Sequence, residues 1–562
     1  MFQGCIDGYK LFHTAQAIGK DGDFLRVKLQ KERLRLEEWA SRAGLQDGQH
    51  SERLNWNFIC HILEQQRLLL TSSEYVRKKY RVRLIEEEFG GDDVEEKKPS
   101  SGLERLLPTL RPKLYEETNN ARAIRAANGT FKRLKWAVAG REKLSKIIDD
   151  LAALNDELER LLDAADQSWL RSSMAALLRE MLSRSSSENE VMDLQQLLRP
   201  AVSTEEHALH AAAAFKRIRL VLDVDKRGDE ISPAENTAAP ETLPSLKMLR
   251  PKHLSNTRSD VVGLHFARYK DAPVLVEWRV TTAHMYEDLK PHVENLALLL
   301  GSTDASFANL HCTGIVCSEK KSCFALVYAV PPAADLNPAA EFECQSLRRL
   351  IDVQTRVSLE DRLSIALQLA QAVLQLHTAG WLHKSIRSEH VIFVGDGEGC
   401  AESLLSGKPY LTGYEFARPV AVPSVSERVV SPLSTDLYLH PEKRGRSSPG
   451  FRKAFDLYAL ATLLIEVAMW EPLEIVLSRQ TGKPWAKLIS DAESNGNDLE
   501  LPSLVEHVET LAFRREVTHS VGPTFCDAIR LCFDAESSDL KELDSSIQVQ
   551  QTVVDRLRSC NF

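Results

Sequence analysis

The residues best placed to do chemistry form one polar loop between two apolar segments. His383, Lys384 and Ser385 follow a helix-like segment that ends in glycine, and His390 precedes the short apolar run 391–393. The hydroxyl of Ser385 is not a base near pH 7, and the neutral imidazole of His390 is a poor ligand for a hard cation that prefers oxygen. The loop therefore has the layout of a catalytic site, but its side chains predict neither proton abstraction nor magnesium binding.

The spacing of this loop resembles the protein-kinase catalytic loop, which reads H-R-D-L followed by three residues and Asn. In that family the Asp accepts the proton of the substrate hydroxyl, and the Asn holds a magnesium ion. His383 and Lys384 stand at the first two positions, whereas Ser385 replaces the Asp and His390 replaces the Asn. The resemblance implies a kinase-shaped domain that does not phosphorylate.

A second degenerate motif, residues 411–418, resembles the family's apolar-x-D-F-G-x-A-R frame. Gly413 occupies the position of the metal-binding Asp, and Tyr414 follows it. Glu415 carries a carboxylate two residues further along the chain. Its use as a substitute metal ligand is the alternative that would leave an active enzyme.

The nucleotide cleft implied by the resemblance is degenerate as well. The family's G-x-G-x-x-G loop is represented by a single glycine, so backbone amides could not approach phosphate oxygens as closely. Glu277 occupies the place of the small-lobe Lys, and Arg279 shares its face of the strand. Glu294, on the next helix, matches the family's helix Glu and is a candidate partner of Arg279. We therefore predict a vestigial nucleotide cleft that holds no cofactor, although ATP binding stays an open alternative. Its residues are Gly263, Glu277, Arg279, Glu294 and Val327.

The structural landmarks of the family persist. His440-Pro441-Glu442 stands where A-P-E belongs, and Asp456 matches the Asp that braces the catalytic-loop backbone. The order of elements agrees: paired strands at 264–269 and 274–280, a helix at 284–300, a hairpin of 310–317 and 323–330, and a long helix at 359–377. This helix is opened by a capping box of Ser358 and Asp361. We therefore predict a bilobal α+β fold of pseudokinase type.

The N-terminal region has helical periodicity and almost no strand pattern. Its strongest helix runs from Leu144 to Leu162, and its last from His207 to about Leu222. The predicted domains are an all-α helical bundle over 1–225, a linker over 226–255, a kinase-like small lobe over 256–335 and a large lobe over 336–562.

Motifs in this bundle resemble the HeLo domain of fungal heterokaryon-incompatibility and prion-signalled cell-death proteins. They are Phe2-x-x-Cys5-Ile6-Asp7-x-Tyr9, Ile18-Gly19-Lys20-Asp21, the run 29–34, Trp39 and Gly44-Leu45. The resemblance implies an effector that inserts an N-terminal apolar segment into membranes. That segment usually precedes the Phe-x-x-Cys motif, where this chain begins. Either the gene start is set too late, or the protein is an interaction module without the inserting piece.

Composition excludes some classes of function and location. The net charge of −9 disfavours broad nucleic-acid binding. The ten cysteines form no C-x-x-C pair, which predicts no metal site and a reduced, cytoplasmic compartment. A signal peptide and an apolar run long enough to span a membrane are not evident. Membrane association on activation stays open, through the HeLo-like domain and its basic stretch 75–83.

The leading hypothesis is a non-enzymatic signalling protein in programmed cell death, in which the degenerate kinase domain regulates the HeLo-like domain. Its expected partners are other proteins, including further copies of itself. A loop between Arg418 and Tyr438, with Ser424, Ser426, Ser431, Ser434 and Thr435, is a candidate site of modification. The alternatives are an atypical active kinase that binds ATP and a plain adaptor without membrane action.

Overall fold

Two compact units make up the chain, Met1–Glu206 and His207–Phe562. A computed structural model describes residues 1–14, 22–45, 54–80, 141–198, 204–225, 246–255, 263–303, 307–331, 342–396, 404–405, 407–414, 417–419, 437–443, 450–494, 508–536 and 546–560. Glu415 and the five hydroxyl residues between Arg418 and Tyr438 lie outside these ranges.

The first unit is helical throughout its described residues. Its core is lined by the apolar stripes that the periodicity predicts, including Cys5 and Tyr9 on the first helix and Leu144 and Leu151 on the fifth. The helices are α1 (Phe2–Thr14), α2 (Gly22–Arg42), α3 (Trp56–Thr71), α4 (Ser73–Tyr80), α5 (Arg141–Arg160), α6 (Ala164–Arg184) and α7 (Glu188–Leu197). Within the described residues, none of the helices combines the length and the apolar character that crossing a membrane requires.

A polar seam joins α2 to α5 inside this bundle. The guanidinium of Arg35 pairs with Glu32 at 2.8 Å, Asp156 at 2.6 Å and Glu159 at 2.7 Å. The amide of Asn155 donates to Glu32 and accepts from Gln66 of α3, at 3.0 and 2.7 Å. Because buried charges are tolerated only when they are paired and hydrogen-bonded, these contacts fix the register of the two helices.

Helix α8 (Thr204–Asp225) was expected to complete the bundle, but from His207 onward it belongs to the second unit, whereas Glu205 in its first turn pairs with Arg179 of α6 at 3.4 Å. The ring of Phe215 stacks on Phe307 and meets the edge of Trp381. Periodicity shows which face of a helix is apolar and does not show what covers it. The domain limits at 225 and 255 remain predictions.

The second unit combines α-helices with antiparallel strands. Its five-stranded sheet has the order β1-β2-β3-β5-β4. Strands β2 to β5, and the helix between β3 and β4, match the predicted elements to within a few residues. A two-residue turn, Lys270-Asp271, joins β2 to β3, with φ of 49° and 65° as a type I′ turn requires. The elements are β1 (Leu254–Ser255), β2 (Gly263–Tyr269), β3 (Ala272–Val280), α9 (Tyr286–Gly301), β4 (Cys312–Ser318) and β5 (Cys323–Ala329).

A mainly helical part follows the sheet. The predicted capping box is confirmed: Ser358 Oγ accepts from the Asp361 amide at 3.0 Å, and the Asp361 carboxylate accepts from the Ser358 amide at 3.3 Å. Short strands pair as β6-β8-β9 and β7-β10, both antiparallel. The elements are β6 (Phe342–Ser346), α10 (Leu347–Asp352), α11 (Leu359–Thr378), β7 (Trp381–Leu382), β8 (Val391–Asp396), β9 (Tyr410–Leu411), β10 (Arg418–Pro419), α12 (Lys453–Met469), α13 (Leu473–Thr481), α14 (Trp485–Ser494), α15 (Arg515–Phe533) and α16 (Ser546–Arg558).

Candidate functional site

The loop of His383, Lys384 and Ser385 follows β7 and is held by a buried carboxylate of α12. Asp456 accepts the backbone N–H of His383 and of Lys384, each at 2.8 Å. Its Oδ2 also lies 3.0 Å from His377 Nε2 at the end of α11. Lys384 is thereby kept at a φ of +69°, which a non-glycine residue rarely adopts. Asp456 thus braces the loop backbone, as the resemblance implies.

His390, at the position expected for the metal-binding Asn, has both ring nitrogens engaged. Arg387 Nη2 lies 2.9 Å from Nε2, and because a guanidinium can only donate, Nε2 is the acceptor. Nδ1 then carries the proton and donates to the carbonyl of Ser385 at 2.7 Å. Burial, followed by the charge of Arg387, lowers the pKa of His390 to about 3. The imidazole is therefore neutral and has no lone pair free for a metal.

Among the residues that the structure describes, the group nearest to acting as a base for Ser385 is His390, whose Nδ1 lies 3.1 Å from the Ser385 Oγ. That nitrogen bears a proton, so it cannot remove one from the hydroxyl. His383 is fully buried against the ring of Tyr414, and burial lowers the pKa of His383 to about 4. The two imidazoles are thus neutral at physiological pH and serve as packing and hydrogen-bonding groups.

Gly413 packs directly on the His390 ring. Its φ is +75°, and a Cβ at this position would lie 2.2 Å from His390 Nδ1 and 2.5 Å from the adjacent ring carbons. The neighbouring Thr412 amide donates to the His390 carbonyl at 2.8 Å. Only glycine therefore fits at 413 in this conformation, and the two degenerate motifs form one contiguous structure.

Glu277 links β3 of the sheet to this structure. Its Oε1 accepts the backbone N–H of Gly413 at 3.0 Å, and its Oε2 accepts the hydroxyl of Tyr328 at 2.8 Å. Burial and the Glu277 charge raise the pKa of Tyr328 well above its usual range, so the phenol remains a donor. The carboxylate therefore fills the point at which the sheet meets the degenerate motif.

The other predicted cleft residues are more dispersed. Gly263 begins β2 opposite Trp278, and Glu294 is half-buried on α9, where its charge helps burial to raise the pKa of Cys317. Val327 pairs with Val276 and lies in the apolar cluster on the opposite face of β3 from Glu277. Arg279 is on the Glu277 face, as strand alternation requires. Its pairing with Glu294 stays a prediction.

The predicted structural residues pack together at the start of α12. His440 stacks on Phe455 at 4.6 Å, and Glu442 forms an ion pair with Arg452. The Glu442 amide also donates to His440 Nδ1 at 3.2 Å, while Pro441 begins a short 3-10 turn. These contacts give the segment a structural role.

A buried hydrogen-bond network around Glu466 of α12 was not predicted from the sequence. The hydroxyl of Tyr438 donates to Glu466, and Ser388 Oγ lies 3.0 Å from that hydroxyl. The Leu473 amide donates to the second carboxylate oxygen at 2.9 Å. Burial raises the pKa of Glu466 from 4.5 to about 7, assisted by the charge of Glu474, which itself pairs with Arg348. Nothing in the local sequence reveals this shift, because it depends on what surrounds the carboxyl group.

Most polar groups of the site are hydrogen-bonded within it, although His383 Nε2 and His377 Nδ1 are buried without a hydrogen-bond partner among the described residues. Among the residues that the structure describes, His, Cys, Asp and Glu side chains form no group of three that could hold a metal ion. The arrangement can therefore fix the position of the sheet relative to the loop within the second unit.

The contact between Gly413 and His390 predicts a non-additive pair of substitutions. Gly413→Ala should lower the free energy of unfolding by about 2 kcal/mol or more, through the clash and the left-handed φ. In the double variant with His390→Ala the clash is gone. The stability that the double variant loses should therefore be smaller, by at least about 1 kcal/mol, than the sum of the losses in the two single variants. Chemical denaturation of the four proteins measures this.

Gly450→Ala is the control, because a Cβ there meets nothing within 4 Å. It should change stability by less than about 1 kcal/mol. Additivity of the two losses within about 0.5 kcal/mol would show that the ring does not confine residue 413.

Glu466 predicts a pH dependence of stability. The pKa of Glu466 is raised in the folded state. Its contribution to the free energy of unfolding is therefore complete below pH 4.5 and is lost as the pH rises to about 7. The wild type should thus lose about 3 kcal/mol relative to Glu466→Gln between pH 4.5 and 8. Urea denaturation at a series of pH values measures the difference, and parallel curves for the two proteins would refute it.

Comparison with known proteins matches two separate parts of the chain. Residues 1–197 match the HeLo family, described as prion-inhibition and propagation, which confirms that predicted resemblance. The heterokaryon incompatibility protein s of Podospora anserina is 24% identical over 166 residues, covering 28% of this chain and 54% of that relative. The chain thus spans about half the length of this curated relative. Residues 316–558 match a domain of unknown function, DUF7580, and the kinase resemblance stays a prediction. The chain therefore carries an N-terminal HeLo domain and a C-terminal DUF7580 domain.

Proposed function

We propose that this chain is a non-enzymatic signalling protein of the incompatibility and cell-death type, in which a kinase-shaped second unit restrains or releases the HeLo domain. The HeLo match and the similarity to a heterokaryon incompatibility protein support the signalling class. The order of strands and helices and the bracing of the loop by Asp456 support the kinase-like interpretation of the second unit.

The observation that carries the non-enzymatic part is the position of the Glu277 carboxylate. In the kinase frame this residue would be a lysine that attracts phosphate groups. A carboxylate repels them, and here it already accepts the Gly413 amide and the Tyr328 hydroxyl. Phosphoryl transfer depends on positioned cations that neutralise the developing charge. The groups at 277, 385, 390 and 413 supply none.

The proposed partners are other proteins, including further copies of this chain, and a membrane contacted through the HeLo domain. A domain without catalytic activity can act as a switch between two interfaces. A partner or a modification that stabilises one of the two states then shifts the balance between them. No cofactor is part of the proposal.

Nucleotide binding tests the non-enzymatic part. A ligand present at a hundred times its Kd stabilises a protein by about 2.7 kcal/mol. We expect no magnesium-dependent rise in Tm with ATP and no transfer of radiolabelled phosphate, with an active protein kinase as positive control. A magnesium-dependent rise together with phosphate transfer that Glu415→Gln abolishes would establish the atypical kinase instead.

Expression in a fungal host tests the restraint. The fragment 1–206 should inhibit growth more strongly than the full chain at equal protein level, because the restraining unit is absent. The control is the same fragment with Leu36→Asp, which places a charge in the core and should be inert. Equal inhibition by the fragment and the full chain would contradict the proposal. Liposome leakage by the fragment separates membrane action from a plain adaptor.

A further inference from the structure

Helix α8 is built into the second unit by an aromatic cluster. Phe215, 2% exposed, stacks on Phe307 with ring centres 5.3 Å apart and meets Trp381 edge-on at 5.9 Å. Phe307 and Trp381 are each 3% exposed. Such geometries are favourable for aromatic pairs beyond the area that they bury. The middle of α8 is therefore fixed in the core of the unit.

Two further contacts hold the helix on either side of this cluster. Gln375 of α11 donates its side-chain amide to the Ala208 carbonyl at 3.2 Å. One turn beyond Phe215, the Arg219 guanidinium lies beside Gly380, where a Cβ would approach its Nη2 to 3.4 Å. Ala212, Ala213 and Lys216 are almost completely buried as well. The helix is thus attached to the second unit from Ala208 to Arg219.

The docking site of α8 adjoins the degenerate loop. Trp381 begins β7 and lies two residues before His383, whose backbone is held by Asp456. β7 pairs only with β10 among the described strands, and each of these strands has two residues. Because so short a pair has few backbone hydrogen bonds, the position of Trp381 depends on its burial against Phe215 and on the loop that Asp456 holds.

Chain order gives this contact a consequence. The HeLo match ends at residue 197 and α8 begins at Thr204, so α8 is the first described element that follows the HeLo domain. We propose that α8 is the coupling element of the protein: docked on Phe307 and Trp381 it keeps the HeLo domain restrained, and undocking releases it. The proposal rests on the proposed function, since it names the element through which that restraint acts.

Hydrogen exchange in the full-length protein tests the docking. Phe215→Ala should raise exchange of the α8 amides at least tenfold. Phe525→Ala is the matched control, because Phe525 is 1% exposed on α15 and truncation leaves a similar cavity. It should leave α8 protected. Equal exchange in α8 for the two variants would overturn the docking, and Gln375→Ala, which removes only the amide contact, gives the same test in a milder variant.

Growth inhibition by the same full-length variants tests the coupling. Phe215→Ala, and Gln375→Ala to a smaller degree, should raise inhibition towards that of the fragment 1–206, whereas Phe525→Ala should not. If α8 is loosened while inhibition stays at the wild-type level, the coupling is wrong and the proposed restraint stands. If the fragment does not exceed the full chain, both are wrong.

Discussion

The absence of a side chain at residue 413 is the constraint on which the degenerate site depends. The His390 ring occupies the space that a Cβ would need, and the left-handed φ of Gly413 turns its N–H towards Glu277. One glycine thereby joins the loop after β7, the segment after β9 and strand β3. Glycine permits this conformation without the steric cost that other residues carry. The kinase resemblance predicts the position of a metal-binding aspartate here, whereas the structure shows that residue 413 must leave space for the His390 ring.

The surrounding groups follow the same logic. A site that binds a charged ligand needs donors and acceptors that the protein itself leaves available. Here His390 uses both nitrogens within the loop, Asp456 uses its carboxylate on the loop backbone, and Glu277 uses both oxygens. Mutual satisfaction lowers the cost of burying these groups and favours a single conformation. Such a site is suited to holding a shape that a partner can recognise.

Sequence reasoning succeeded where the cause is local. The capping box of α11 and the strands that flank the Lys270-Asp271 turn depend on neighbouring residues, and both are present in the structure. The contact of Glu277 with Gly413 joins residues far apart in the chain, so no periodicity or propensity could indicate it. The raised pKa of Glu466 depends on complete burial among partners from several elements. The predicted packing of α8 in the helical bundle was wrong for a similar reason, because its apolar face is compatible with either unit.

The place of α8 also bears on how the protein can be divided. Residues 226–245 have linker composition, which invites a cut before the sheet. A fragment that began there would leave the rings of Phe307 and Trp381 without the Phe215 ring that covers them. Uncovered aromatic surface promotes self-association. Aggregation of such a fragment would then reflect a missing piece of its own interior and would carry no information about natural assembly, whereas a fragment that keeps α8 would avoid the artefact.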